Sequence, residues 1–154
     1  MRTQDEIAER AHSSSEFLNF APDVIVPFLD FEHAQPFLKP EVTAGEWACK
    51  ELTREAVLAE MREYMAEYGW PKVLDHRGLS AERTVQKMTA WLWLLGDDEA
   101  VAFAEDEGNY PQYGAPVLKF ICERLGFPVP TDEEAHRMAR GEPCGADYQC
   151  GCGR

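Results

Sequence analysis

The sequence lacks a long hydrophobic run, an excess of base and any strand-like alternation, and each absence removes a class of protein. Its charge-free stretches fall well short of the roughly 20 apolar residues that a membrane-spanning helix needs. The opening MRTQDEIAER is polar from its second residue, so neither a signal peptide nor a transmembrane segment is expected. With 15 Lys and Arg against 28 Asp and Glu, the formal charge is -13. Such a surface repels nucleic acid and anionic membrane and favours basic partners. No segment alternates with a convincing period of two, and no repeat recurs at a fixed spacing. GxxxxGKS/T, GxGxxG, HExxH and GxSxG are missing, and with them the local signatures of nucleotide binding, zinc proteolysis and serine hydrolysis. Cysteine is sparse and odd in number: five, at Cys49, Cys122, Cys144, Cys150 and Cys152. That is a poor disulfide framework, and it points to a reducing, cytoplasmic setting.

What is present suits one helical domain. A chain of 154 residues with 45% apolar content can bury a core without covalent staples. Thr3 with Glu6, Thr43 with Glu46 and Thr131 with Glu134 match the capping box of a helix start. Thr53 is placed to cap a helix reaching about Tyr68, with Val57, Leu58, Met61 and Met65 at core spacing and Gly69 as its stop. Ser80 is placed to cap the next, 81–95, where Val85, Met88, Leu92 and Leu95 form one stripe. Trp91, Trp93 and Leu94 widen that stripe, so this helix should lie centrally.

Asp97 or Asp98 should open a short helix carrying Ala100, Val101 and Phe103. Another helix, from about Ala115 to Leu125, turns Val117, Leu118, Ile121, Cys122 and Leu125 to the core, with Pro116 in its first turn and Gly126 past its end. Pro22, Pro27, Pro36 and Pro40 cut the early region into short helices or turns. The expected fold is all-α: a single compact domain, 1–142, of about six to eight short and medium helices around the tryptophan-rich helix 81–95. An irregular Cys/Gly-rich tail occupies 143–154.

The acid is distributed unevenly. Residues 1–53 carry 10 acids against 4 bases, 54–96 carry 6 against 6, and 97–154 carry 12 against 5. From Asp97 to Val117 there are six acids and no lysine or arginine. Asp97, Asp98 and Glu99 fall where a helix begins and the macrodipole favours negative charge. Glu105, Asp106 and Glu107 fall near a helix end, where it does not. Beside Tyr110 and Tyr113 they would form an acidic, aromatic surface suited to a basic protein face. The plainer alternative is a solvated acidic loop, and the spacing does not match a calcium-binding EF-hand.

Three further constellations carry chemistry. Asp75, His76 and Arg77, with Arg83, crowd a turn before a helix amino end, which suits an anion or an acid–base step; the plainer account is local ion pairing around a capped helix. His136, Cys144, Cys150 and Cys152 could form a tetrahedral zinc site. Their spacing, five residues and then one, is not that of paired zinc knuckles, so no cofactor is expected and the tail reads as a flexible terminus. Cys49 and Cys122 sit among apolar neighbours and read as small core residues.

Arg77-Gly78-Leu79-Ser80-Ala81, the segment from Ala90 to Asp97, and Tyr113-Gly114-Ala115-Pro116 resemble stretches of short acidic proteins encoded on bacterial plasmids, integrative elements and phages. The resemblance covers most of residues 1–130 and leaves out the tail. It implies a bacterial or phage origin and brings no activity or site residue. The expectation is a small acidic intracellular binding protein that docks the basic surface of a partner protein, as an inhibitor or nucleic-acid mimic of a mobile element. Asp97, Asp98, Glu105, Asp106, Glu107, Tyr110 and Tyr113 would form the docking face. A small enzyme at Asp75, His76, Arg77 and Arg83, and a zinc-stapled interaction module, are the competing classes.

Overall fold

Capping chemistry marks where the chain turns into helix, and the computed structural model describes residues 1–13, 22–70, 79–107, 114–131 and 133–134. Thr3 and Glu6 form the reciprocal box, Glu6 N–H donating to Thr3 Oγ1 and Thr3 N–H to Glu6 Oε1, at the start of α1 (Gln4–Ser13). Prolines divide the next stretch of chain as expected. A four-residue α2 (Pro22–Ile25) tightens into a 3-10 turn (Val26–Phe28), and α3 (Phe31–Ala34) does the same at Gln35–Phe37. Asp30 caps α3 by accepting from His33 N–H at 2.9 Å. Thr43 and Glu46 make the predicted contact but close only a turn, because Pro40 and Gly45 flank a stretch with no apolar stripe to bury.

α4 (Arg54–Tyr64) is capped by Thr53, whose Oγ1 accepts from Ala56 N–H. Its helical path then widens into a π turn, Met65–Gly69. Gly69, the expected stop, does not end the helical path: its φ is not positive and the helical turn runs on to Trp70. Packing explains the residue: a Cβ at Gly69 would lie 2.5 Å from Met65 Sδ, 2.9 Å from its Cε and 3.4 Å from Thr84 Cγ2.

α5 (Leu79–Leu95) already includes Ser80, the residue expected to cap it. It is the central element, packed against α2, α4, α6 (Asp98–Glu107) and α7 (Gly114–Leu125). Val85, Met88, Trp91, Leu92, Leu94 and Leu95 are all buried. The ends of α5 and α7 share one solution. Gly96 at φ 84° and Gly126 at φ 76° each let the next amide reach back five residues, Asp97 N–H to Leu92 O and Phe127 N–H to Cys122 O.

The core joins α1 through Ile7 and Ala11, α2 and its turn through Val24, Ile25 and Phe28, α4 and its π turn through Val57, Met61 and Met65, and α7 through Val117, Leu118 and Ile121. Leu58 and Leu125 are only partly buried. Phe103 turns outward, and Ala104 takes the inward position on α6. Phe103 instead lays its ring on Phe120, centroids 4.4 Å apart. The all-α reading holds: no strand occurs among the described residues. None of their helices is long and apolar enough to cross a membrane.

Candidate functional site

Positions i, i+3 and i+4 share a helix face, and from Glu60 that spacing collects Glu60, Glu63, Tyr64, Glu67 and Tyr68 along α4 and its π turn. This face forms one wall of a cleft of about 280 Å³. Asp23, Val24 and Pro27 from α2 and its 3-10 turn, Lys50, and Lys87 and Trp91 of α5 complete the lining. The π turn carries Glu67 and Tyr68, so the widened backbone sets where these two side chains leave the helix.

The aromatic groups are coupled. Tyr64 contacts Trp91 with ring centroids 5.4 Å apart and planes tilted by 56°, and Tyr68 with centroids 6.0 Å apart. Tyr68 is 53% exposed. The Lys87 ammonium already stands 5.4 Å from the Tyr64 ring centroid and 3.9 Å from Asp23 Oδ2, so this wall accepts a cation. Lys50 pairs with Glu60 Oε1. Two polar atoms of residues in the cleft lining have no hydrogen-bond partner among the described residues: Glu60 Oε2, an acceptor, and Trp91 Nε1, a donor in a side chain only 7% exposed. Glu63 and Glu67 are exposed and have no ion-pair partner among the described residues. The cleft thus sets four carboxylates against two ammonium groups. Its described lining contains no histidine, cysteine, serine or threonine to act as a nucleophile or imidazole base.

The acids expected to form a docking face occupy different surroundings. Asp97 accepts from Arg124 in a two-pronged pair, Nε to Oδ2 at 2.7 Å and Nη2 to Oδ1 at 2.9 Å, and also caps α6 through Ala100 N–H. The Arg124 guanidinium holds the Asp97 carboxyl below its ordinary range, against a desolvation that pushes the other way. Asp98 pairs with Arg2, and Glu105 accepts from Arg10 Nη2 at 3.4 Å. Arg2 and Arg10 also face the Trp93 ring. Asp97, Asp98, Glu99 and Glu105 are therefore met by arginines from α7, from α1 and from Arg2 just before α1. Asp106 is exposed with no ion pair among the described residues. The Glu107 side chain, Tyr110 and Tyr113 lie outside the described residues, so their place beside Glu105 and Asp106 does too.

Of the anion constellation, Asp75, His76 and Arg77 lie outside the described residues. Arg83 points to α2, donating from Nη2 to Asp23 Oδ2 at 3.0 Å. His136, Cys144, Cys150 and Cys152 also lie outside them. Among the described residues no group of three or more His, Cys, Asp or Glu is placed to hold a metal ion. Cys122 is a buried core residue whose thiol burial pushes up to about 12. Cys49, expected in the core, is exposed, because its segment runs along the surface where Lys50 N–H donates to Pro27 O. Its thiol is raised by partial burial and by Asp30, the opposite of an activated nucleophile.

A second cavity, of about 170 Å³, lies between the π turn and the segment after α7, with Trp70, Phe127, Pro128 and Pro130 in its lining. The Arg62 guanidinium stands 5.2 Å from the Phe127 ring centroid there. The cavity lining is mostly apolar, with Arg62 and Glu134 as the charged members. The charged cleft is not among the constellations expected from the sequence. Its signal was the tandem Glu63-Tyr64 and Glu67-Tyr68 at helical spacing, hidden by the neutral average over 54–96.

Fold and cleft together define an all-α protein with an acidic, aromatic recess beside its central helix. No protein-family model matches the chain, and no curated protein or solved structure matches it either.

Proposed function

We propose that this is a small acidic binding protein that docks the basic surface of a partner protein, in the manner of an inhibitor or nucleic-acid mimic. The observation that carries this reading is the α4 face: Glu63 and Glu67 are exposed and unpaired among the described residues, next to the exposed ring of Tyr68. Carboxylates already tied to Arg2, Arg10 or Arg124 must break a pair to bind anything else. Unpaired ones attract a cation at no such cost. An exposed tyrosine adds contact area with little side-chain entropy to lose. The proposal accordingly favours α4 and its π turn over α6 as the docking face. The free thiols of Cys49 and Cys122 fit an intracellular, reducing setting.

The test is calorimetric titration with a nona-lysine peptide at low salt. Glu63→Lys with Glu67→Lys should weaken binding by about tenfold or more. Glu9→Lys with Glu123→Lys changes net charge equally on exposed sites elsewhere and should weaken it much less. Equal losses in the two double variants would reduce the effect to net charge and defeat the proposal.

A further inference from the structure

We infer that the cleft between α2, α4 and α5 receives one arginine side chain of the basic partner, its guanidinium laid on Tyr68 and held by Glu60, Glu63 and Glu67. The inference rests on the docking reading and names the group that the recess selects.

Size comes first. Cavities for drug-sized ligands begin near 300 Å³, and this one, at about 280 Å³ and open to solvent on the Tyr68 side, suits a single side chain or a fragment. Charge comes second. Four carboxylates face two ammonium groups, and the two lysines are committed, Lys50 to Glu60 Oε1 and Lys87 to Asp23 and the Tyr64 face. Glu63 and Glu67 are left for a guest.

Unmet hydrogen bonds come third. Glu60 Oε2 has no donor and Trp91 Nε1 no acceptor among the described residues. An orphaned buried acceptor and donor are costly. Both atoms are shut off from solvent in the unbound protein, so a guest's N–H donors and backbone carbonyls reach them only as Glu60 and Trp91 shift on binding.

Guanidinium fits better than ammonium on each count. It is planar and stacks on an aromatic face, it presents five donors in a fork that matches carboxylates, and it sheds water more readily. Lysine offers a point charge of the kind that Lys87 already provides over Tyr64.

The experiment compares nona-arginine with nona-lysine by calorimetry at moderate salt, against the wild-type chain, Tyr68→Ala, and Glu63→Gln with Glu67→Gln. Tyr68, Glu63 and Glu67 are exposed, so these variants keep the fold, which circular dichroism checks. Nona-arginine should bind about tenfold more tightly to the wild type. Either variant should bring its affinity down to that of nona-lysine. Equal affinities for the wild type, or an arginine preference that survives both variants, would overturn the inference while leaving the docking reading in place. Failure of both peptides to bind at low salt would overturn both.

Discussion

At Gly126 the backbone sits at φ 76° with nothing within 4 Å of where a Cβ would be, so space is not what this position lacks. A side chain there meets only the penalty of the left-handed conformation, about 1–2 kcal/mol. Gly126→Ala should therefore lower the unfolding free energy by about that amount in urea melts. Gly45→Ala should change it by less than about half a kcal/mol, since Gly45 is equally open and its φ is not positive. Equal effects at the two sites would mean that the end of α7 does not depend on its left-handed residue. Gly69 makes the contrasting case. Gly69 and Gly126 each come near the end of a helix with a core-facing stripe, and a sequence reading treats them alike. What separates them is Met65 and Thr84, which close on one and not the other. Tertiary contact of this kind leaves no mark in the residues beside a glycine.

Between elements, α1 and α3 are joined by a small polar relay. Gln4 Nε2 donates to Phe28 O, Asp30 N–H donates to Gln4 Oε1, and the His33 ring lies between Asp30 at 2.8 Å and Asp5 at 2.9 Å. Hydrogen bonding to Asp30 first, and then to Asp5, raises His33 above its ordinary 6.5. The folded protein thus binds the imidazole proton more tightly than the unfolded chain does. The stability this gives is complete below 6.5 and is lost as pH rises through the higher folded value. Wild type should exceed His33→Gln in unfolding free energy by more at about pH 5.5 than at about pH 8.5. Urea melts at both pH values check this, and a difference independent of pH would show that the imidazole charge contributes nothing. Capping was the layer most readable in advance, because a Thr and a Glu three residues apart satisfy each other locally. The box at Thr43 and Glu46 shows its limit: the hydrogen bonds form, but no apolar face extends them into a helix.

Across the whole molecule, the net charge divides into acids that hold the fold and acids that face outward unpaired. Counting along the chain could not make that division, since Arg2 and Asp98 are 96 positions apart and Arg10 and Glu105 are 95 apart. It assigned the surplus to α6 and neutrality to 54–96. In three dimensions the described α6 acids are largely met by arginine, while α4 and its π turn present Glu63 and Glu67 unmet by any described residue. This division predicts a crossover between two single substitutions that alter net charge identically. Glu105→Lys places a cation against Arg10 on a partly exposed pair and should cost about 0.5–1 kcal/mol of stability, with little effect on nona-lysine affinity. Glu67→Lys should leave stability within about half a kcal/mol and weaken the peptide by several-fold. Urea melts and calorimetry on the same two preparations read both quantities. Peptide binding that fell with Glu105→Lys and held with Glu67→Lys would return the docking face to α6. Loss of both properties in both variants would mean that fold and binding draw on one undivided charge.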